Sequence, residues 1–130
     1  MNLNRKELFE EMNKIGMFEE DEYTSEDFEA ICGNLSDLIW FMDSLFTEND
    51  FETIKKLLLV IFYKYTKELN LLALLEKLGL VEQSEYTNED LIKRCESLPD
   101  CLNFIDYLSI DNDENTFKKL LLCILYKEKT

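Results

Sequence analysis

Apolar residues in this chain recur at intervals of three and four positions. The stretch 51–65 shows the pattern most clearly, with Ile54, Leu57, Leu58 and Ile61 on one side of a helical projection. This spacing is typical of an amphipathic helix, because 3.6 residues complete one helical turn. The chain shows no strand-like alternation of apolar and polar residues and no Gly-centred hairpin turn. The pattern therefore predicts an all-α fold.

The chain also repeats itself at an offset of 63 residues. Residues 15–67 align with residues 78–130 without a gap, and 24 of the 53 aligned positions are identical. The longest identical run, Lys-Lys-Leu-Leu-Leu, stands at 55–59 and again at 118–122. Repeated segments of this length indicate repeated structural units. We therefore predict a tandem duplication of a four-helix unit of about 63 residues.

The two copies, 1–67 and 68–130, should form one structural domain. The segment 67–78 between them contains neither Gly nor Pro. It predicts either one continuous helix from copy to copy or a break near 66–70. Either connection is too short for flexibly tethered domains, so about eight helices should pack as one compact body. The copies should be related by a pseudo-twofold or a pseudo-superhelical operation.

Capping residues mark the helix boundaries in both copies. Asn4, with Glu7 three residues later, predicts the start of the first helix, and Gly16 predicts its end. Thr24 and Asp27 predict a capping box at the start of the second helix, in which each side chain accepts from the other residue's amide. Other predicted helix starts carry the same kinds of side chain: Asn34, Asp50, Thr87, Ser97 and Asp113.

Acidic residues outnumber basic ones by 28 to 14, which gives a net charge of −14. Residues 15–54 contain twelve acidic side chains and no basic one, and the matching stretch 78–117 has a net charge of −8. Like charges at this density repel one another, so a basic partner would offset the repulsion. The alternative is that each carboxylate only solvates a helix face or favours a helix N-terminus.

Net positive charge is found in the segments 55–77 and 118–130, each at +3, which include most of the fourth helix of each copy. The lysine pairs that begin at Lys55 and Lys118 are expected to be solvated flanks of those helices. Direct binding of DNA or RNA is disfavoured at this net charge, because phosphate contacts require Lys and Arg.

The chain carries little catalytic equipment. It has no histidine, the commonest general base and the commonest zinc ligand. It also lacks the glycine-rich phosphate-binding and nucleophile motifs. Cys32, Cys95, Cys101 and Cys123 form no C-x-x-C pair and are expected to pack as small hydrophobic residues. We expect no enzyme activity, no catalytic residue, no cofactor and no metal.

The apolar runs are too short for a membrane-spanning segment. Leu57 to Tyr63 is the longest of them, whereas a span requires roughly 20 residues. The N-terminal segment lacks the apolar centre of a secretory signal. We therefore expect a cytoplasmic protein with reduced thiols that does not bind a membrane.

The segment 23–28, Tyr-Thr-Ser-Glu-Asp-Phe, opens the second predicted helix. It resembles the start of a helix in the acidic colicin-type nuclease immunity proteins. The resemblance is short and consists mostly of the capping box, so it does not assign the chain to that family.

Two observations lead to a functional hypothesis: acidic residues are concentrated in the segments 15–54 and 78–117, and catalytic motifs are missing. We expect a small acidic non-enzymatic protein that binds and inhibits a basic protein partner. The function that we favour is that of an immunity protein against a toxin or nuclease. One alternative is a phage-type anti-defence protein that imitates nucleic-acid charge. Another is a helical oligomerising adaptor or scaffold, which includes a homodimer.

The partner-binding surface is expected in the first copy. Trp40 and its neighbours Phe41 and Phe46 are expected to pack in the core or between the copies, but a partly exposed Trp40 would be an interface anchor. The candidate partner-binding residues are Glu19, Glu20, Asp21, Glu22, Glu26, Glu29, Trp40, Asp43, Glu48, Asp50 and Glu52.

Overall fold

The computed structural model describes residues 3–19 and 21–127, and within them the chain forms eight α-helices and no strand. We call residues 1–67 the first half and residues 68–130 the second half. The first half contributes α1 (Arg5–Ile15), α2 (Ser25–Cys32), α3 (Leu35–Glu48) and α4 (Phe51–Tyr65). The second half contributes α5 (Leu71–Lys77), α6 (Asn88–Arg94), α7 (Leu98–Asp111) and α8 (Glu114–Leu125). The all-α prediction is confirmed.

Most helices begin at the capping side chain that the sequence provides. The Asn4 side chain accepts from the Glu7 amide at 3.0 Å. Thr24 and Asp27 form the predicted capping box, with bonds of 3.0 and 2.9 Å. These contacts satisfy amides that lack a partner inside the helix. Asn70, before α5, makes no such side-chain bond.

The connection between the halves is a turn. α4 ends at Tyr65, whose carbonyl accepts from the amides of Glu68 and Leu69 at 3.1 and 2.9 Å. α5 then begins at Leu71. Of the two alternatives for this segment, the break near 66–70 is the one that the chain adopts. The turn folds the second half back onto the first.

The halves pack through two reciprocal helix pairs. α4 contacts α7, and α3 contacts α8. Since α7 and α8 follow α3 and α4 by 63 residues, the two pairs are equivalent with the roles of the halves exchanged. Such exchange is the contact pattern of a two-fold relation, whereas a superhelical one repeats a contact in one direction. The contacts of α3 and α4 with α7 and α8 are therefore reciprocal between the halves.

Two ion pairs cross the boundary between the halves. Lys55 Nζ lies 2.9 Å from Asp106 Oδ1, and Lys118 Nζ lies 3.0 Å from Asp43 Oδ1. The expectation that these lysines only solvate the flanks of α4 and α8 is therefore wrong. The Lys55 side chain is only 12% exposed, because α4 packs closely against α7.

One continuous hydrophobic core joins all eight helices into a compact body. Its centre in the first half is aromatic: Phe9 stacks on Phe18 at 5.3 Å, and Phe28 lies between Phe9 and Phe41 at 5.7 and 5.8 Å. In the second half, the positions of Phe9, Phe18 and Phe28 are occupied by aliphatic residues: Leu72, Val81 and Leu91. The first half therefore has the bulkier interior.

The cysteines divide into three buried thiols and one exposed thiol. Cys32, Cys95 and Cys101 are buried in the core, as expected. Cys123 lies on the exposed side of α8, so the expectation that it packs in the core is wrong. Cys123 corresponds to Val60 of the first half, and Val60 is itself only half-buried.

Candidate functional site

The loop between α1 and α2 is fixed by the side chain of Asn49. Gly16 ends α1 in the left-handed region at φ 84°, which a residue without a Cβ adopts at no steric cost. The chain then turns so that the Asn49 amide group donates to the carbonyls of Met17 and Leu45, both at 2.9 Å. One side chain therefore joins the loop to the end of α3.

This link brings three carboxylates to one concavity. Glu19 and Glu22 stand on the loop, where the Glu19 amide donates to Glu22 Oε1 at 3.0 Å, and Glu48 is the last residue of α3. All three line an open depression of about 600 Å³. We call this depression, with Glu19, Glu22 and Glu48 on its walls, the acidic concavity. Among the described residues, no basic side chain lines it, so its surface presents concentrated negative charge.

Tyr23 packs edge-on against Phe18, a residue that lines the same depression, with ring centroids 5.5 Å apart. Burial raises the pKa of Tyr23 above the usual range, and the carboxylates of Glu22, Glu48 and Asp27 raise it further. Of these carboxylates, Glu22 and Glu48 belong to the acidic concavity.

Trp40 projects from the exposed side of α3. It is 67% exposed, whereas the next residue, Phe41, is 1% exposed and belongs to the core. The expectation that Trp40 packs in the core or between the halves is therefore wrong, whereas that for Phe41 is confirmed. Leu35 and Ile39, one turn apart on α3, are also exposed. Large apolar side chains are thus clustered on the outer face of this helix.

Helix geometry connects Trp40 to the acidic concavity. Trp40, Ser44 and Glu48 are spaced four residues apart, so they follow one another along the same side of α3. We call these three residues the α3 stripe. It runs for about 12 Å, given the rise of 1.5 Å per residue. The stripe begins at an exposed indole and ends among three carboxylates.

The second half builds a related but different surface. The Asn112 side chain donates to the carbonyls of Leu80 and Leu108, and the Glu82 amide donates to Glu85. However, Tyr107 stands where Ser44 stands in the first half, and its hydroxyl donates to Glu85 Oε2 at 3.0 Å. This bond raises the pKa of Tyr107 to about 12. Glu85, the counterpart of Glu22, therefore already accepts a hydrogen bond from a neighbouring side chain.

Three of the predicted acidic residues take part in structural contacts. Asp43 pairs with Lys118 across the halves, and Glu52 pairs with Lys55 at 3.2 Å. Asp50 caps α4, where it accepts from the Thr53 amide at 2.8 Å and the Thr53 hydroxyl at 2.7 Å. These contacts do not remove the three side chains from the surface, but they give each a role in folding.

The other predicted residues are distributed as follows. Asp21 is exposed on the loop in the left-handed region, at φ 64°. Glu26 and Glu29 are exposed on α2. Glu20 lies outside the described residues. The structure therefore brings together Glu19, Glu22 and Glu48 and aligns Trp40 with them.

Sequence reasoning missed three contributors to this surface. No sequence pattern distinguished Leu35 and Ile39 as surface residues, although both are exposed on α3. No side-chain role was predicted for Asn49, although it positions the loop. The one available signal was that Asn49 and Asn112 are identical at equivalent positions.

The described carboxylates do not gather into a group that could bind a metal ion. Within residues 3–19 and 21–127, no three cysteine or carboxylate side chains come together in a group that could hold a metal ion. In the same part of the chain, every helix falls short of the length and apolarity needed to cross a membrane. Comparison of the chain with protein-family models, with characterised proteins and with solved structures gave no match.

Proposed function

We propose that this chain is a small acidic, non-enzymatic protein that binds and inhibits a basic protein partner through α3 and the acidic concavity. An immunity protein against a toxin or nuclease is the setting that we favour. The observation that carries the proposal is the exposed Trp40, which lies in line with Glu48 on the α3 stripe.

Trp40 has the properties of an interface anchor. Tryptophan is enriched among the residues that dominate binding energy, because its large rigid ring loses little conformational entropy when it is covered. The core does not need this side chain, since Phe41 fills the interior at the adjacent position. A partner that covers Trp40 would bury it together with Ile39 and Leu35.

The carboxylates explain why the partner should be basic. Glu19, Glu22 and Glu48 repel one another in the free protein, and a cationic partner surface would turn this repulsion into attraction. Such charges accelerate encounter and select against acidic partners more than they raise affinity. In this arrangement Trp40 supplies affinity and the acidic concavity supplies speed and selectivity.

The test begins with capture of a basic protein from the source cell at low salt, followed by titration of the purified partner. We expect Trp40→Ala to weaken binding at least about thirtyfold, because a hot-spot truncation costs about 2 kcal/mol or more. The matched control is Asn103→Ala, the equivalent position of the second half. Absence of a partner whose binding weakens with salt, or an unchanged affinity for Trp40→Ala, would reject the proposal.

The same partner separates the two inhibitory settings. An immunity protein abolishes the activity of its toxin whether or not nucleic acid is present at the start. A phage-type protein that imitates nucleic-acid charge competes with DNA or RNA for a basic groove, so its inhibition declines as nucleic acid is added. Inhibition measured over a range of nucleic-acid concentrations therefore distinguishes them.

We also infer that the two halves are tandem copies of one four-helix unit. The 24 identical positions support this inference. So do hydrogen bonds that recur 63 residues later, such as those from Asn49 to Met17 and from Asn112 to Leu80. Under this inference, the difference between the outer faces of α3 and α7 arose after duplication.

A second candidate function rests on α7. Its outer face exposes Leu98, Leu102, Tyr107 and Ile110, the last of them by 79%. An adaptor or homodimer that pairs through α7 would bury this face. Sedimentation at several concentrations tests it: a dimer that Ile110→Ser dissociates favours the adaptor, and a monomer at all concentrations rejects the homodimer.

A further inference from the structure

In the described part of the second half, the exposed large apolar side chains lie on α7. Leu98 and Leu102 stand near the start of this helix. Tyr107 and Ile110 stand near its end. Apolar side chains of this size gain free energy when another surface covers them. The outer face of α7 therefore carries one apolar pair toward each end, along a helix of about 21 Å.

Two cations lie beside the start of α7. Lys93 and Arg94 are the last residues of α6. The Arg94 guanidinium lies 5.2 Å from the ring centroid of Tyr86 and 5.7 Å from that of Phe104, so two rings hold it in place. Within the described part of the chain, neither cation forms an ion pair. Arg94 is therefore an ordered cation that is available to a carboxylate of another molecule.

The two ends of α7 differ in charge. At the start, the two cations offset Glu96 and Asp100. At the end, Asp113 and Glu114 follow the helix, and residues 101–117 contain no basic side chain. When two α7 helices lie antiparallel about a two-fold axis, the cations of each copy face the acidic end of the other. The surface of α7 is thus complementary in charge to a second copy of itself.

The first half lacks this complementarity. Ala30 and Ile31 occupy the positions of the two cations, and residues 15–54 contain no basic side chain. Two α3 helices placed side by side would bring acidic residues only against acidic residues. Ser44 and Thr47 also occupy the positions of the apolar pair at the end of α7. A second copy of the chain therefore fits α7 and not α3.

We propose that α7 pairs antiparallel with α7 of a second copy of this chain. The apolar pair at the start of each helix covers the pair at the end of the other, and Arg94 contacts the carboxylates that follow the other α7. The two-fold axis passes near Asn103, an exposed residue close to the middle of the helix. This inference rests on the homodimer suggested above for α7 and adds its orientation and its ionic contact. Because α3 takes no part, the dimer leaves two copies of the α3 stripe for the proposed basic partner.

Sedimentation equilibrium of the full chain without any partner tests the apolar contact. We expect a dimer in which Leu102→Ser raises the dissociation constant at least about tenfold. Ile39→Ser is the matched control, because Ile39 is the equivalent residue of α3 and is similarly exposed, at 44% against 41%. It should leave the dimer unchanged. A monomer at all concentrations, or equal effects of the two substitutions, would overturn the proposal without bearing on inhibition of a basic partner.

Arg94→Glu tests the ionic contact. It should raise the dissociation constant at least about tenfold, because acidic residues then face acidic residues at both ends of the interface. Arg94→Lys keeps the charge and should have a smaller effect. Circular dichroism checks that both variants keep their helices. If Leu102→Ser dissociates the dimer and Arg94→Glu does not, the homodimer stands and the proposed pairing is overturned.

Cysteine cross-linking tests the orientation, in a Cys123→Ser background because Cys123 is exposed. Asn103→Cys should give disulfide-linked dimers under mild oxidation, since both copies of this residue meet near the axis. Leu98→Cys should not, because antiparallel pairing separates its two copies by about 20 Å. Trp40→Cys, at the position equivalent to Asn103, should also remain unlinked. Cross-linking through Leu98→Cys would show a parallel pair and overturn the proposal.

Discussion

Lys55 Nζ lies 2.9 Å from Asp106 Oδ1, and this ion pair joins α4 of the first half to α7 of the second. Lys118 and Asp43 make the equivalent contact at 3.0 Å. The two pairs differ in exposure: the Lys55 side chain is 12% exposed and the Lys118 side chain 32%. The same charges therefore act in different surroundings, and their energies should differ.

We expect Asp106→Asn to lower the free energy of unfolding by about 1 kcal/mol, since the largely buried Lys55 ammonium then keeps only the exposed Glu52 carboxylate as an anionic partner. Asp43→Asn should lower it by about half as much, because solvent replaces the lost partner of Lys118. Urea unfolding of both variants measures the difference. Equal losses would show that the lower exposure of Lys55 does not strengthen its pair, and no loss for Asp106→Asn would show that the pair does not stabilise the contact of α4 with α7.

Trp40 and Phe41 are adjacent in sequence and opposite in environment. We expect Phe41→Ala to lower the free energy of unfolding by about 3–5 kcal/mol, because it leaves a cavity in the aromatic core. Trp40→Ala should change it by less than about 0.5 kcal/mol. Chemical unfolding tests both. A large loss for Trp40→Ala would mean that the indole is part of the fold and is not held ready for a partner.

Trp40 also serves as a spectroscopic probe, since it is the single tryptophan of the chain. Its emission should be that of a solvent-exposed indole and should be quenched readily by acrylamide. Cs⁺ should quench it better than I⁻, because the carboxylates around α3 repel anions. Phe41→Leu, which alters the core next to it, should leave this order unchanged. Stronger quenching by I⁻ would contradict the acidic setting of the indole.

Helix starts could be predicted from sequence because the contacts that fix them are local. Thr24 and Asp27 are three residues apart, so their capping box depends on no distant part of the chain. The same holds for Gly16, whose left-handed conformation ends α1. Boundaries of this kind are determined within one turn of helix.

The surface could not be predicted in the same way, because it depends on distant pairs. Asn49 reaches Met17 across 32 residues of sequence. The periodicity of α3 could not show whether Leu35 and Ile39 face the other half or solvent, since that depends on where α8 packs.

Acid should weaken the start of α4 through Asp50. The Thr53 hydroxyl, followed by the Thr53 amide, lowers the pKa of Asp50 below its usual value. A carboxyl whose folded pKa is depressed stabilises the fold above the unfolded pKa of about 3.9, and this stabilisation is lost as the pH falls through the folded pKa.

Asp50→Asn keeps an acceptor for the amide but cannot titrate. We expect the wild-type chain to be the more stable near neutral pH and the difference to shrink as the pH falls through the acid range below about 3.9. Urea unfolding at a series of pH values measures it. Glu29→Gln is the control, because it removes an exposed carboxylate outside the caps. A difference independent of pH would show that the cap does not depend on the charge.

Repulsion within the acidic concavity should appear as a salt effect on stability. Glu48→Gln removes one of three neighbouring carboxylates, so we expect a higher melting temperature at low salt and a smaller gain at high salt. The Debye length falls from about 30 Å at 0.01 M to about 3 Å at 1 M, which screens the remaining charges.

Asp111→Asn is the matched control: Glu48 and Asp111 both end their helices, so the helix dipole contributes equally to both substitutions. In the second half, Tyr107 already donates to Glu85, so Asp111→Asn should give the smaller gain. Equal gains would assign the effect to the helix dipole and leave the acidic concavity without measurable repulsion.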